Sequence, residues 1–110
     1  MALYAPIDCA SSGQNEIVPA KGNESIIVVS YVLVAVSAVT AKWEGYTALG
    51  GVATEEMSGA MSLITGTPLS PVGTLQDPLM VVKEGLDLSL LLGSGVQVSG
   101  HIAYYYSGDA

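Results

Sequence analysis

Few side chains in this sequence can do covalent or acid–base chemistry: one histidine (His101), one cysteine (Cys9), three lysines, no arginine and ten carboxylates. A hydroxyl nucleophile would come from Ser30, Ser37, Ser62 or Ser99, with His101 as its base and an orienting acid converging on the same point. Ser99 and His101 stand two residues apart, so a strand places both on one face with Cβ atoms roughly 6–7 Å apart. Neither a nucleophile elbow nor a distinct acid partner accompanies them. Glu55 and Glu56 are adjacent and would face opposite ways in a strand. They read as a solvated acidic loop rather than as the general acid and base of a hydrolase. A zinc site would have to gather Cys9, His101 and carboxylates without any ligand spacing, and no loop has the spacing of a dedicated calcium motif. Gly50-Gly51 and Gly93-Ser94-Gly95 lack the strand–loop–helix context of phosphate-binding loops. No catalytic residue, cofactor or metal is assigned, and the chain is read as a non-enzyme.

Aromatic residues offer recognition chemistry instead. In a continuing strand, Tyr104 and Tyr106 share one face while Tyr105 joins His101 and Gln97 on the other. Tyrosine and tryptophan combine an apolar body with a hydrogen-bonding edge, which suits subunit contacts and sugar platforms. Tyr31, Trp43, Tyr46, His101 and Tyr105 are the candidate interface residues.

Strands must position these groups. Residues 26–36 form the strongest one, dense in valine and isoleucine, whose restricted χ1 rotamers favour extended structure over helix. Strict alternation puts Ile26, Val28, Val32, Val34 and Val36 on one side and Ile27, Val29, Tyr31, Leu33 and Ala35 on the other. Both sides are apolar, so the strand is expected in a sheet interior with its second face covered by another layer or another subunit. Residues 26–41 are uncharged but number only 16 and include Ser30, Ser37 and Thr40, which disfavours a membrane-spanning helix. Further on, Val39, Ala41 and Trp43 alternate with Thr40, Lys42 and Glu44. Leu86, Leu88, Leu90 and Leu92 alternate with Asp87 and Ser89, and the pattern resumes at Val96, Val98, Ile102 and Tyr104 after Gly93-Ser94-Gly95. Those last two strands suggest a hairpin.

Shorter strands are expected over residues 2–7, 15–18, 46–49, 61–65 and 79–82. Residues 52–59 read as a loop with at most one helical turn. The prolines at 68, 71 and 78 exclude a continuous helix over residues 66–78, where Leu69, Val72 and Leu75 could anchor an irregular segment. Seven to nine short strands in 110 residues predict an all-β, antiparallel sandwich or barrel, organised as a single domain over residues 1–110.

Composition narrows the partners. Half the residues are hydrophobic and 12% are charged, which argues against disorder. The net charge of -7 is the wrong sign for binding a phosphate backbone, so nucleic acid is not an expected partner. A lone cysteine forms no intrachain disulfide. No secretory leader is expected, because residues 1–4 lack a basic n-region and Pro6 and Asp8 interrupt any apolar run. No membrane association is expected either.

The segment 26–43, with Ser30-Tyr31-Val32-Leu33-Val34 and Ala38-Val39-Thr40, resembles small bacteriophage virion structural proteins, either capsid decoration or tail-associated modules. The likeness extends to Gly59-Ala60-Met61-Ser62-Leu63, Pro71-Val72-Gly73 and Gly85-Leu86-Asp87-Leu88-Ser89-Leu90, and is strongest over Val96-Gln97-Val98-Ser99-Gly100-His101-Ile102-Ala103-Tyr104. These anchors form a distributed pattern over residues 26–106, and the acidic stretch 54–59 departs from it. The resemblance implies an all-β module of jelly-roll kind, repeated on the capsid surface of a virion. It implies a decoration or cement protein that stabilises the shell through multivalent contacts with the major capsid protein. It also implies a homo-oligomer, with a homotrimer as the specific expectation. The alternative is a tail or fibre module binding a host glycan through exposed Trp43, Tyr46 or Tyr105.

Overall fold

Alternation at period two and frequent β-branching produce strands throughout the chain. The structure, a computed structural model, describes residues 2–46 and 53–109. Within them lie β1 (Leu3–Cys9), β2 (Gly13–Val18), β3 (Ile26–Ala35), β4 (Val39–Tyr46), β5 (Ala53–Glu56), β6 (Met61–Leu63), β7 (Met80–Val82), β8 (Asp87–Leu92) and β9 (Val98–Tyr106). They form two antiparallel sheets packed as a β-sandwich. One sheet has the order β1-β9-β3-β7; the other runs β2-β8-β4-β5, with β6 also paired to β4. Among the described residues no helix is long and apolar enough to cross a membrane, and the apolar stretch 26–41 is occupied by β3 and the start of β4.

The core lies between the sheets. Ile7, Tyr31, Leu33, Val98 and Ile102 from one sheet pack with Val18, Ala41, Trp43, Leu88, Leu90 and Leu92 from the other. Burying each large apolar side chain contributes roughly 1.5–3 kcal/mol relative to leaving it in water. Tyr31 meets Trp43 edge-on with ring centroids 5.2 Å apart, and Tyr104 meets Tyr106 in the same manner at 5.5 Å.

The strongest strand occupies an interior position, between β9 and β7, but its faces differ from strict alternation. A bulge between Val28 and Ser30 shifts the register against β9. A bulge places two residues opposite one and so reverses the parity of everything beyond it. Ile26 and Val28 therefore share the inner face with Tyr31, Leu33 and Ala35, while Ile27, Val32 and Val34 lie on the outer face.

Three other expectations change. The segment 93–95 does not turn a hairpin: β8 pairs with β2 and β4, whereas β9 pairs with β1 and β3, so these residues cross from one sheet to the other. Residues 53–56 are a strand rather than a loop, held on β4 in the register Glu44–Glu56 and Gly45–Glu55. Val72 does not anchor the proline-rich segment, being 79% exposed, although Leu69 does pack against the core. Of the short strand expected over residues 46–49, Tyr46 ends β4 and the rest falls outside the described residues.

Prolines mark both edges of the β1-β9-β3-β7 sheet. Pro6 sits on the edge strand β1. On the far side, beyond β7, residues 65–73 run along β3 as an irregular edge containing Pro68 and Pro71. That edge is tied by reciprocal Leu33–Leu69 backbone hydrogen bonds of 2.9 Å and a Gly73 N–H to Val29 carbonyl bond of 2.6 Å. Proline removes a donor from the exposed ladder and discourages another strand from adding there.

Candidate interaction surface

The two outer sheet faces have opposite chemistry. On the β1-β9-β3-β7 face, alternation turns outward Tyr4 and Pro6 from β1, Ile27, Val32 and Val34 from β3, Val81 from β7 and Tyr105 from β9. Tyr4 is 72% exposed and Val81 47%, while Ile27, Val32, Val34 and Tyr105 of the middle strands are half-buried by their neighbours alone. The charged or basic groups on these outward positions are one carboxylate, Asp8, and one imidazole, His101. Gln97 Nε2 donates to Asp8 Oδ1 at 2.6 Å and to Ser99 Oγ at 3.1 Å. The other outward groups are apolar, hydroxyl-bearing or both.

The β2-β8-β4-β5 face is a knitted polar surface. Lys42 Nζ lies 3.0 Å from a carboxylate oxygen of both Glu44 and Glu56, and the Tyr46 hydroxyl donates to Glu44 Oε1 at 2.8 Å. Glu44 is buried, so these partners satisfy a charge that would otherwise be costly to desolvate. Burial, with the Glu44 carboxylate alongside, pushes the Tyr46 phenol up to about 12. The two carboxylates, Glu44 before Glu56, raise the Lys42 ammonium above its ordinary value. One strand over, Asp87 Oδ1 accepts from the Ala20 N–H at 2.7 Å, and Glu16 shares a hydrogen bond with Asp87. That bond, with burial and the Asp87 charge, pushes the Glu16 carboxyl up to about 7. Gln14 Nε2 donates to Ser89 Oγ at 3.1 Å.

An open depression of about 380 Å³ lies at the end of the sandwich, lined by Val39, Thr40, Ser62, Leu63, Gly93 and Ser94 together with Ala38. Its polar side chains are hydroxyls, and none of its lining residues carries a charge.

The candidate residues divide between the interior and the surface. Tyr31, Trp43 and Tyr46 are buried within the chain, at 8%, 0% and 7% exposure, and so do not stand ready at the surface as interface contacts. Each belongs to a strand whose neighbours cover it, and Trp43 is the centrepiece of the core. Its indole Nε1 is buried without a hydrogen-bond partner among the described residues. Burial raises the Tyr31 phenol, the nearby indole acting weakly in the other direction. His101 and Tyr105 lie on the apolar outer face, His101 exposed and Tyr105 half-buried.

The remaining chemical candidates do not converge. Ser99 Oγ accepts from Gln97 rather than engaging His101. Cys9 points into the core, where burial raises its thiol above the ordinary value, while His101 projects from the opposite face of the same sheet. No group of three or more His, Cys, Asp or Glu side chains is placed to hold a metal ion among the described residues. Glu56 pairs with Lys42 instead of with a second acid.

Sequence reasoning missed the approach of the Glu16 carboxyl to Asp87 and the depth of Glu44. The alternating Lys42, Glu44 and Tyr46 on β4 was the available signal for the second. The first joins residues 71 positions apart and leaves no local trace. Comparison of the chain with protein-family models, curated proteins and solved structures returns no match.

Proposed function

We propose that this protein is a bacteriophage capsid decoration protein, a β-sandwich that stabilises a shell by contacts repeated over many copies. The observation that carries this reading is the outer face of the β1-β9-β3-β7 sheet, apolar and almost uncharged in a chain of net charge -7. Such a face is unfavourable for a protein that works alone in water and suits one that works in an assembly. Strand order supports the jelly-roll form of the resemblance. Most consecutive strands alternate between the sheets, the exception being the run β4-β5-β6. Jelly rolls recur in viral capsids and in lectins, so this support is a fold-level analogy.

A decoration protein needs contacts to the shell and, as a homo-oligomer, contacts to its own copies. The acidic polar surface complements basic patches on a major capsid protein, and the apolar face serves association that excludes water. Multiple weak contacts on one particle add to an avidity far above that of any single contact.

The test is to mix purified protein with capsids lacking accessory proteins and to locate the bound density. Regular density on the shell supports decoration; attachment at the tail alone, or none, refutes it. Binding to soluble host glycan without binding to capsids would favour the tail or fibre reading. Of the three aromatic residues that reading enlisted, Tyr105 alone retains surface on the described fold.

A further inference from the structure

We infer that the outer face of the β1-β9-β3-β7 sheet seats the same face of a second copy of this chain, related by a twofold axis. The inference rests on reading the face as an assembly surface and not on a phage origin.

Charge singles out this face as the one that a second copy can meet without repulsion. At net charge -7, two copies meeting through most of their surface would repel. The β1-β9-β3-β7 face escapes this, because its outward strand positions hold one acid, Asp8, and one imidazole, His101, among apolar and hydroxyl-bearing residues. In an isologous contact each copy presents both members, so the face is complementary to itself. The polar face of the other sheet, with Glu16, Glu44, Glu56 and Asp87 against Lys42, would place acids opposite acids if it self-paired.

Area is sufficient. Four strands at about 4.8 Å spacing give a face about 19 Å wide. Its three longer strands, of 7, 9 and 10 residues, average about 28 Å at roughly 3.3 Å per residue. With β7 counted at its own three residues, the flat strand footprint is roughly 460 Å² per copy, or roughly 920 Å² for the pair. Pleats, side chains and the edge segment 65–73 beside β3 bring it to the ~1,000 Å² that a specific interface needs.

Prolines disfavour edge-to-edge pairing of this sheet. Edge-to-edge pairing would extend the sheet, but Pro6 lies on one edge and Pro68 and Pro71 on the other. Contact is therefore face-on, as sheets stack in a sandwich. Face-on contact closes at two copies and leaves no equivalent face for a third, whereas the phage resemblance implies three.

The experiment measures solution mass by sedimentation velocity and light scattering across the micromolar range. The wild-type chain is compared with His101→Glu, Tyr4→Glu and, on the opposite sheet, the exposed Thr40→Glu. Residues 101, 4 and 40 are all exposed, so the variants fold, and thermal unfolding of dilute protein checks this. A twofold axis counts each substitution twice, and the dimer dissociation constant should rise at least about tenfold for His101→Glu and Tyr4→Glu. Thr40→Glu should leave the mass unchanged. A monomer at every concentration, a trimer, or a dimer indifferent to His101→Glu and Tyr4→Glu each overturns the inference. Capsid binding is scored separately: decoration by a monomer would overturn the pairing and leave the proposed function standing.

Discussion

Replacing Gly100 with alanine should be among the most damaging single-methyl additions available to this fold. Gly100 lies in β9 opposite Leu33 of β3 and Ile7 of β1, at φ +150°, a backbone conformation that side chains rarely adopt. A Cβ there would overlap the Val32 carbonyl oxygen, with the Val32 carbonyl carbon at 2.7 Å. Both are backbone atoms of the neighbouring strand, so relief requires β3 and β9 to separate rather than a rotamer to turn. Backbone strain of this type costs about 1–3 kcal/mol, and overpacking adds about 1–3 kcal/mol more. The expected loss is about 4 kcal/mol, a large share of the roughly 5–15 kcal/mol that holds a domain folded, and should lower Tm by roughly 15 °C or more. Gly93→Ala is the control. Its Cβ would crowd the Thr40 hydroxyl, a side-chain atom able to rotate away, and Gly93 has no unusual φ. Its cost should stay near ~1 kcal/mol, that of a mild overpacking. Urea titration followed through the fluorescence of Trp43, the single tryptophan, measures both. If Gly100→Ala lies within ~0.5 kcal/mol of the wild type, or costs no more than Gly93→Ala, the strand separation argument is wrong.

Other expectations concern the core and the polar sheet. The Glu16 carboxyl, raised from 4.5 to about 7 by its bond to Asp87, keeps a proton in the folded chain that the unfolded chain releases. Stability from this pair is therefore complete below about pH 4.5 and is lost as pH rises through about 7. Solvent screening of the exposed Glu16 limits the effect to about 1 kcal/mol, and Glu16→Gln should flatten the slope in pH-dependent denaturation. Trp43 should emit in the blue and resist aqueous quenchers, and Trp43→Ala should cost about 3–5 kcal/mol by leaving a cavity. Exposed, quenchable emission from the native protein would contradict its burial. Tyr46→Phe removes the donor to buried Glu44 Oε1 and should cost about 1–2 kcal/mol in urea denaturation.

Much of the fold can be read along the chain because one physical variable, the side a residue faces, alternates along a strand. Trp43 with Ala41 and Val39, Leu88, Leu90 and Leu92 of β8, and Tyr104 with Tyr106 all fall on the inner side that their spacing assigns. Ile26 and Val28 do not stay with Val32 and Val34, because the bulge before Ser30 changes the count. Valine is equally suited to either face, so nothing in the residue types marks that position. The 53–56 strand was hidden for a related reason. Its Glu55 and Glu56 have low strand preference, and the edge of β4 supplies the pairing that local propensity does not.

The candidate surface divides the same way. Tyr105 and His101 are outward by alternation, whereas the burial of Tyr31 and Tyr46 depends on which strands lie beside them. The Glu16–Asp87 bond exists because β2 pairs with β8 and brings distant carboxylates together.

The amino-acid sequence alone determined that this chain is all-β, acidic, and possessed of a central strand with two apolar sides. Those properties follow from local periodicity and from counting charges. Tertiary structure alone decided that β8 and β9 belong to different sheets, and that one sheet presents an almost uncharged face while the other binds its charges to one another. Partner choice between strands is set by closing a common core over the whole chain, and two strands of the same period carry no local mark of which neighbour they will take.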